Sequence, residues 1–142
     1  SIMKNFIYIF ILCVLSGCFG PKNITITIQP DGNSMAYQTK EFTVKADQEV
    51  ILIMKNTATV EVMKHNVVIL SDSTKVNEVG QKAMSAEGYI PNHPAIIAAT
   101  PMADAGAQTQ VTFKAPSKPG KYTYICTYPG HYMMMKGVMI VN

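Results

Sequence analysis

The residues with the most chemistry in this chain lie within ten positions of one another near its C-terminus. Cys126, His131 and Met135 stand in the order C-x4-H-x3-M, inside the run Cys126-Thr-Tyr-Pro-Gly-His131-Tyr-Met-Met-Met135-Lys-Gly137. That spacing puts a thiolate, an imidazole and a thioether in one short loop, which Pro129 and Gly130 stiffen and bend. A soft thiolate and thioether beside an imidazole form a donor set that favours copper. Zinc would more often be met by further cysteines or an acidic ligand. Of the three consecutive methionines, Met135 has the spacing expected of the ligand, with Met134 as the alternative if the loop slips by one residue.

A trigonal site needs a second imidazole, and only His65 and His93 remain to supply it. His65 opens an apolar run that reads as a strand. His93 lies between Pro91 and Pro94 in a long loop and reads as a histidine with no role. A strand end holds a ligand more rigidly than a loop, so His65 is the favoured donor.

The elements that must position these groups read as short strands. Ile24–Ile28 alternates strictly, as a strand with one buried face does. Further runs are Glu41–Lys45, Val50–Met54, His65–Leu70, Gln110–Lys114, Lys121–Cys126 and Val138–Val141, with turn residues between them. Short strands at this spacing predict a Greek-key sandwich or barrel. Pro119-Gly120-Lys121-Tyr122 resembles the tyrosine corner of such folds. Tyr122 and Tyr124 share strand parity with Cys126, which turns all three inward. Between about residues 72 and 107 the strand signals vanish. Ser73–Ala86 reads as a short helix with Val76, Val79, Ala83 and Met84 on one face and Ser73 as its cap. The proline- and alanine-rich stretch 89–107 reads as a long loop.

The start of the chain has a different character. Lys4 precedes ten apolar residues, Phe6–Leu15, the length of a signal-peptide core and too short to span a bilayer, which takes ~20 residues as a helix. Leu15-Ser16-Gly17-Cys18 resembles the lipobox of bacterial lipoproteins. That resemblance implies a signal peptide at 1–17, a lipid on Cys18, a tether through residue 23 and a folded domain at 24–142. Under this reading the odd number of cysteines, three, is accounted for. Cys13 leaves with the signal, Cys18 carries lipid and Cys126 is held by metal, so no disulfide is expected in the oxidising envelope. The chain has 142 residues, a net charge of +3 and 15% charged residues. That is room for one domain with a real core, and the scattered charge excludes a nucleic-acid surface.

The loop Cys126–Gly137, taken with His65-Asn66 upstream, resembles the azurin-type blue copper proteins, or cupredoxins, and within them most the auracyanins. The likeness covers most of residues 24–142. It implies an all-β Greek-key cupredoxin barrel of about eight strands, with the short helix and long loop inserted at about 72–107. It also implies one copper ion cycling between Cu(II) and Cu(I). His65, Cys126 and His131 would be the equatorial ligands and Met135 the weak axial one. Asn66 and Thr127 would brace the ligand loop around the sulfur. Azurins usually carry glycine before the first histidine where this chain has Lys64, so a carbonyl contact from that position is not carried over.

The family shuttles single electrons and does not catalyse a reaction. Four protein ligands leave no open metal position, and no general base stands nearby. By the same likeness His131 is the electron port. Pro129, Tyr132, Met133 and Met134 would surround it as a docking patch for redox proteins such as cytochromes or membrane complexes. A lipid-anchored monomer in the cell envelope is the expectation. Two other functions remain. The methionines would suit a copper-storage or copper-delivery protein, and a metal-free sandwich would suit a surface adhesin.

Overall fold

A computed structural model describes residues 20–142. The expected signal peptide and lipidation residue, 1–17 and Cys18, fall outside them. Eight strands form two sheets: β1 (Ile24–Ile28), β2 (Glu41–Val44), β3 (Glu49–Lys55), β4 (Val68–Leu70), β5 (Ile96–Ala99), β6 (Gln108–Lys114), β7 (Gly120–Ile125) and β8 (Lys136–Val141). One sheet has the order β1-β3-β6 and the other β2-β8-β7-β4-β5. β1 runs parallel to β3 and β2 parallel to β8, while the remaining pairs are antiparallel. The one α-helix among the described residues, α1 (Val76–Ala83), lies between β4 and β5.

Alternation builds the core between the sheets. Val50, Leu52 and Met54 of β3 point inward, as do Phe42 and Val44 of β2 and Met139 and Val141 of β8. β4 is instead apolar at every position and buried on both faces. Ile69 joins Tyr124 and Cys126 in the main core, whereas Val68, Leu70 and Ile125 meet Val76 and Val79 of α1 and Tyr132 in a second cluster. The helix therefore covers the outer face of the sheet just where the ligand loop leaves it.

Tyr124 is fully buried, but Tyr122 is only half-buried, at the end of the sheet. The Tyr122 hydroxyl donates to the Lys118 carbonyl at 2.6 Å, which closes the tyrosine corner. Gly137 makes room for Tyr124: a Cβ there would fall 2.1 Å from the ring.

Three local expectations are revised. The run from His65 is a regular strand only from Val68, because the Val67 N–H turns to a side chain: it donates to the Thr100 hydroxyl at 2.9 Å, while the Thr100 N–H still donates to the Val67 carbonyl. Beyond that irregularity His65 exchanges backbone hydrogen bonds with Ala103. The supposed loop 89–107 contains β5, whose signal was only the pair Ile96-Ile97 among small residues. The helix starts later than its pattern suggested. Asp72, not Ser73, caps a preceding 3-10 turn by accepting the Thr74 N–H, and Met84 lies beyond the buried face, 53% exposed.

Candidate metal centre

Cys126 follows β7 directly and is fully buried with its side chain in the core. The loop beyond it is tied at both ends. The Cys126 N–H donates to the Met135 carbonyl at 3.1 Å, and the Met135 N–H donates to the His131 carbonyl at 2.8 Å. Gly130 adopts φ 82°, a left-handed conformation that favours glycine, and starts the 3-10 turn His131–Met133. This backbone returns His131 and Met135 to the end of β7. His65 arrives from the other direction on its short bridge to Ala103.

The Cys126 sulfur lies 3.8 Å from His65 Nδ1 and 3.7 Å from His131 Nδ1. The donor atoms of these three buried residues all fall within 4.8 Å of one another. Metal–nitrogen bonds of ~2.05 Å and metal–sulfur bonds of ~2.3 Å meeting at ~120° give an S···N edge of about 3.8 Å, against about 3.6 Å for a tetrahedron. The observed edges of 3.8 and 3.7 Å fall in this range, so the residues present fit one metal ion held between them. Both sulfur-facing nitrogens are Nδ1, and a metal bound there would leave the ring proton of each neutral imidazole on Nε2. His65 Nε2 is buried without a hydrogen-bond partner among the described residues. Met135, also fully buried, completes the donor set as a thioether.

The electrostatics suit a cation. Burial, and then the neighbouring His131, push His65 down to about 4. Burial lowers His131 as well. Both rings are therefore neutral donors at physiological pH. Burial pushes the Cys126 thiol up to about 11, opposed by backbone N–H groups of Asn66 and Tyr128 that donate to the sulfur. A bound cation supplies the charge that removes the thiol proton.

Around the donors the chain is hydrogen-bonded closely. Asn66 Oδ1 accepts the Thr127 N–H at 2.8 Å, and Asn66 Nδ2 donates to Thr127 Oγ1 at 2.8 Å. The Thr127 hydroxyl donates in turn to the Tyr89 carbonyl at 2.6 Å. The Tyr37 hydroxyl donates to the Asn66 carbonyl. The segment carrying His65 is thus fastened to the loop carrying Cys126.

A family model for copper binding proteins of the plastocyanin/azurin family matches residues 24–142. The chain belongs to this family. Its cofactor is copper, for which His65, Cys126, His131 and Met135 are arranged as a type 1 site. Auracyanin-A of Chloroflexus aurantiacus is 36% identical over 128 residues, covering 87% of this chain and 77% of that protein. Azurin iso-2 of Methylomonas sp. is 34% identical over 126 residues, covering 80% and 94%. The crystal structure of dithionite-reduced auracyanin from Roseiflexus castenholzii superposes with a TM-score of 0.76 at 41% identity, covering 83% of this chain and 96% of that one.

Two sequence-based expectations change. Tyr132 is 8% exposed, with its ring seated on Gly80 of α1, and so drops out of the docking patch. Met133 and Met134 are 61% and 70% exposed, and Pro129 is half-buried. His93 stands outside the donor cluster but is not idle. Its Nδ1 accepts the Ala95 N–H at 3.0 Å, which places the proton on Nε2, 3.1 Å from Glu78 Oε1. The backbone groups of Tyr128 and Tyr89 that serve the site left no trace in residue type. The glycine under Tyr132 was visible only as a flaw in a helical pattern.

Proposed function

We propose that this protein is an electron carrier of the cell envelope, tethered to a membrane through Cys18, that passes single electrons between redox proteins and catalyses no reaction. The observation that carries this reading is the burial of the centre. Three of the four ligands have no accessible surface, and His131 has 5%. A metal held there has no route to a substrate, while electrons need only a ligand edge. Bound copper supplies a one-electron couple. The chain supplies a rigid cage whose ligand positions need not change with oxidation state, which keeps electron exchange fast.

His131 is the port, and exposed Met133 and Met134 with Pro129 offer partners such as cytochromes an apolar, adaptable rim. The protein acts as a monomer. Support for the envelope comes from the lipobox-like Leu15–Cys18 and from a relative, outer membrane protein H.8 of Neisseria meningitidis, 31% identical over 122 residues. Five residues separate Cys18 from β1, a reach of at most ~18 Å that keeps the domain near the bilayer.

Adding Cu(II) to residues 24–142 should produce an intense thiolate-to-copper band, lost in Cys126→Ser and His65→Ala and kept in His93→Ala. Loss of the band in His93→Ala with retention in His65→Ala would overturn the site. Fatty-acid labelling of the full chain, absent in Cys18→Ala, tests the anchor. The exposed thioethers of Met133 and Met134 favour a second reading, envelope copper handling. Ready transfer of Cu(I) to an acceptor, in place of reversible cycling without loss of metal, would establish it.

A further inference from the structure

His131 is in edge-on contact with a second aromatic ring, and that ring with a third. The Tyr128 ring meets His131 at a centroid distance of 5.0 Å and an interplanar angle of 65°, and Tyr89 meets Tyr128 at 5.4 Å and 78°. These are ordinary T-shaped contacts, with no gap between rings. His131 itself is almost wholly covered, whereas Tyr128 and Tyr89 are both half-buried, so the chain of rings leads outward.

The placement of Tyr89 is costly. It has φ 59°, directly after Gly88 at φ 60°, in a region that bulky residues avoid. Backbone held in such a conformation persists only where surroundings enforce it. Here the Tyr89 carbonyl takes the Thr127 hydroxyl and its ring covers Tyr128.

We propose that Tyr128 and Tyr89 form a second electron path, running from His131 through contacting rings to the surface and using none of the exposed Met133 and Met134. The inference rests on the copper reading of the site. One electron passes between an outside one-electron donor and Cu(II), giving Cu(I) and the oxidised donor. No bond or proton moves, and the rings supply electronic coupling without being oxidised themselves.

The test uses a ruthenium–bipyridine donor fixed to an introduced histidine on the copper-loaded full chain. The native histidines are at most 8% exposed, so the label goes to the new one. Glu87→His places it in the same 3-10 turn as Tyr89, and Met134→His places it on the methionine rim. The readout is the ratio of the two light-triggered rates of copper reduction, which cancels changes in the centre common to both. Tyr89→Leu should lower the ratio about tenfold by replacing a ring contact with a smaller, saturated side chain. Tyr89→Phe should restore it. An unchanged ratio in Tyr89→Leu, or one that Tyr89→Phe fails to restore, overturns the path. In the metal-free protein, nuclear Overhauser contacts should link the rings Tyr89, Tyr128 and His131, and their absence would overturn it independently of copper. Failure to form the visible band would instead strike the copper reading.

Discussion

Gly80→Ala isolates how the helix supports the metal centre. A Cβ at position 80 would lie 2.2, 2.3 and 2.5 Å from three atoms of the Tyr132 ring. A carbon–carbon contact needs about 3.5 Å or more, so over an ångström must be found by a rigid ring or by the helix. Tyr132 follows His131 in the turn His131–Met133, so pushing the ring outward drags the port ligand with it. Forcing a methyl into such a contact costs about 1–3 kcal/mol. Alanine returns about 1 kcal/mol over glycine in a helix interior. The net expectation for the metal-free protein is a loss of about 0–2 kcal/mol by urea denaturation, with a shifted or weakened copper band after loading. The sign in a second background decides the matter. In Tyr132→Ala the obstacle is gone, and Gly80→Ala should then stabilise by up to about 1 kcal/mol. If Gly80→Ala were equally destabilising in both backgrounds, or left the band unaltered in the presence of Tyr132, the brace would be refuted.

Other outcomes follow from neighbouring contacts. His93→Ala should cost about 1–3 kcal/mol, because the Ala95 N–H is left without its buried partner; equilibrium denaturation measures this. Glu78 is held down at about 2, against an ordinary 4.5, first by its hydrogen bond to His93 and then by those to Lys82 and Lys75. A carboxyl lowered on folding contributes stability that is fully present above about 4.5 and is lost as pH falls toward 2. The acid limb of stability against pH should therefore be shallower in Glu78→Gln over that window. Asn66→Ala leaves the Thr127 N–H without its acceptor and takes one of two partners from the Thr127 hydroxyl, in a buried site. It should destabilise by about 1–3 kcal/mol and move the copper band, a result checked by denaturation and visible absorption.

Much of the fold was legible because burial between two sheets imposes a period of two. β1, β2, β3 and β8 all show it, and the parity that turns Tyr124 inward turns Cys126 inward as well. What escaped had other causes. β4 is apolar throughout because helix and sheet cover opposite faces, so periodicity could not separate its ladder from the irregular residues before it. β5 is four residues of isoleucine and alanine between prolines, too short and too small to register. Tyr132 looked like surface because a tyrosine beside a port histidine carries no mark of the helix that lies over it.

The ligand identities were decided by residue type and local spacing alone. Cys126, His131 and Met135 share one loop, and a chain of so few bonds can bring its donors to one point only in a few ways. The partner of that loop, His65, was favoured in the sequence by its place at the start of a strand-like run and by the family likeness. His65 and His93 differ little as residues, and only the tertiary fold sets one 3.8 Å from the sulfur and fastens the other to Glu78. The same holds for the Tyr128 N–H on the sulfur, the Tyr89 carbonyl on Thr127 and the ring of Tyr132 on Gly80. These are contacts between segments far apart in sequence or made by backbone atoms that every residue possesses. No single side chain announces them, since each exists only when two sheets and a helix have closed around it.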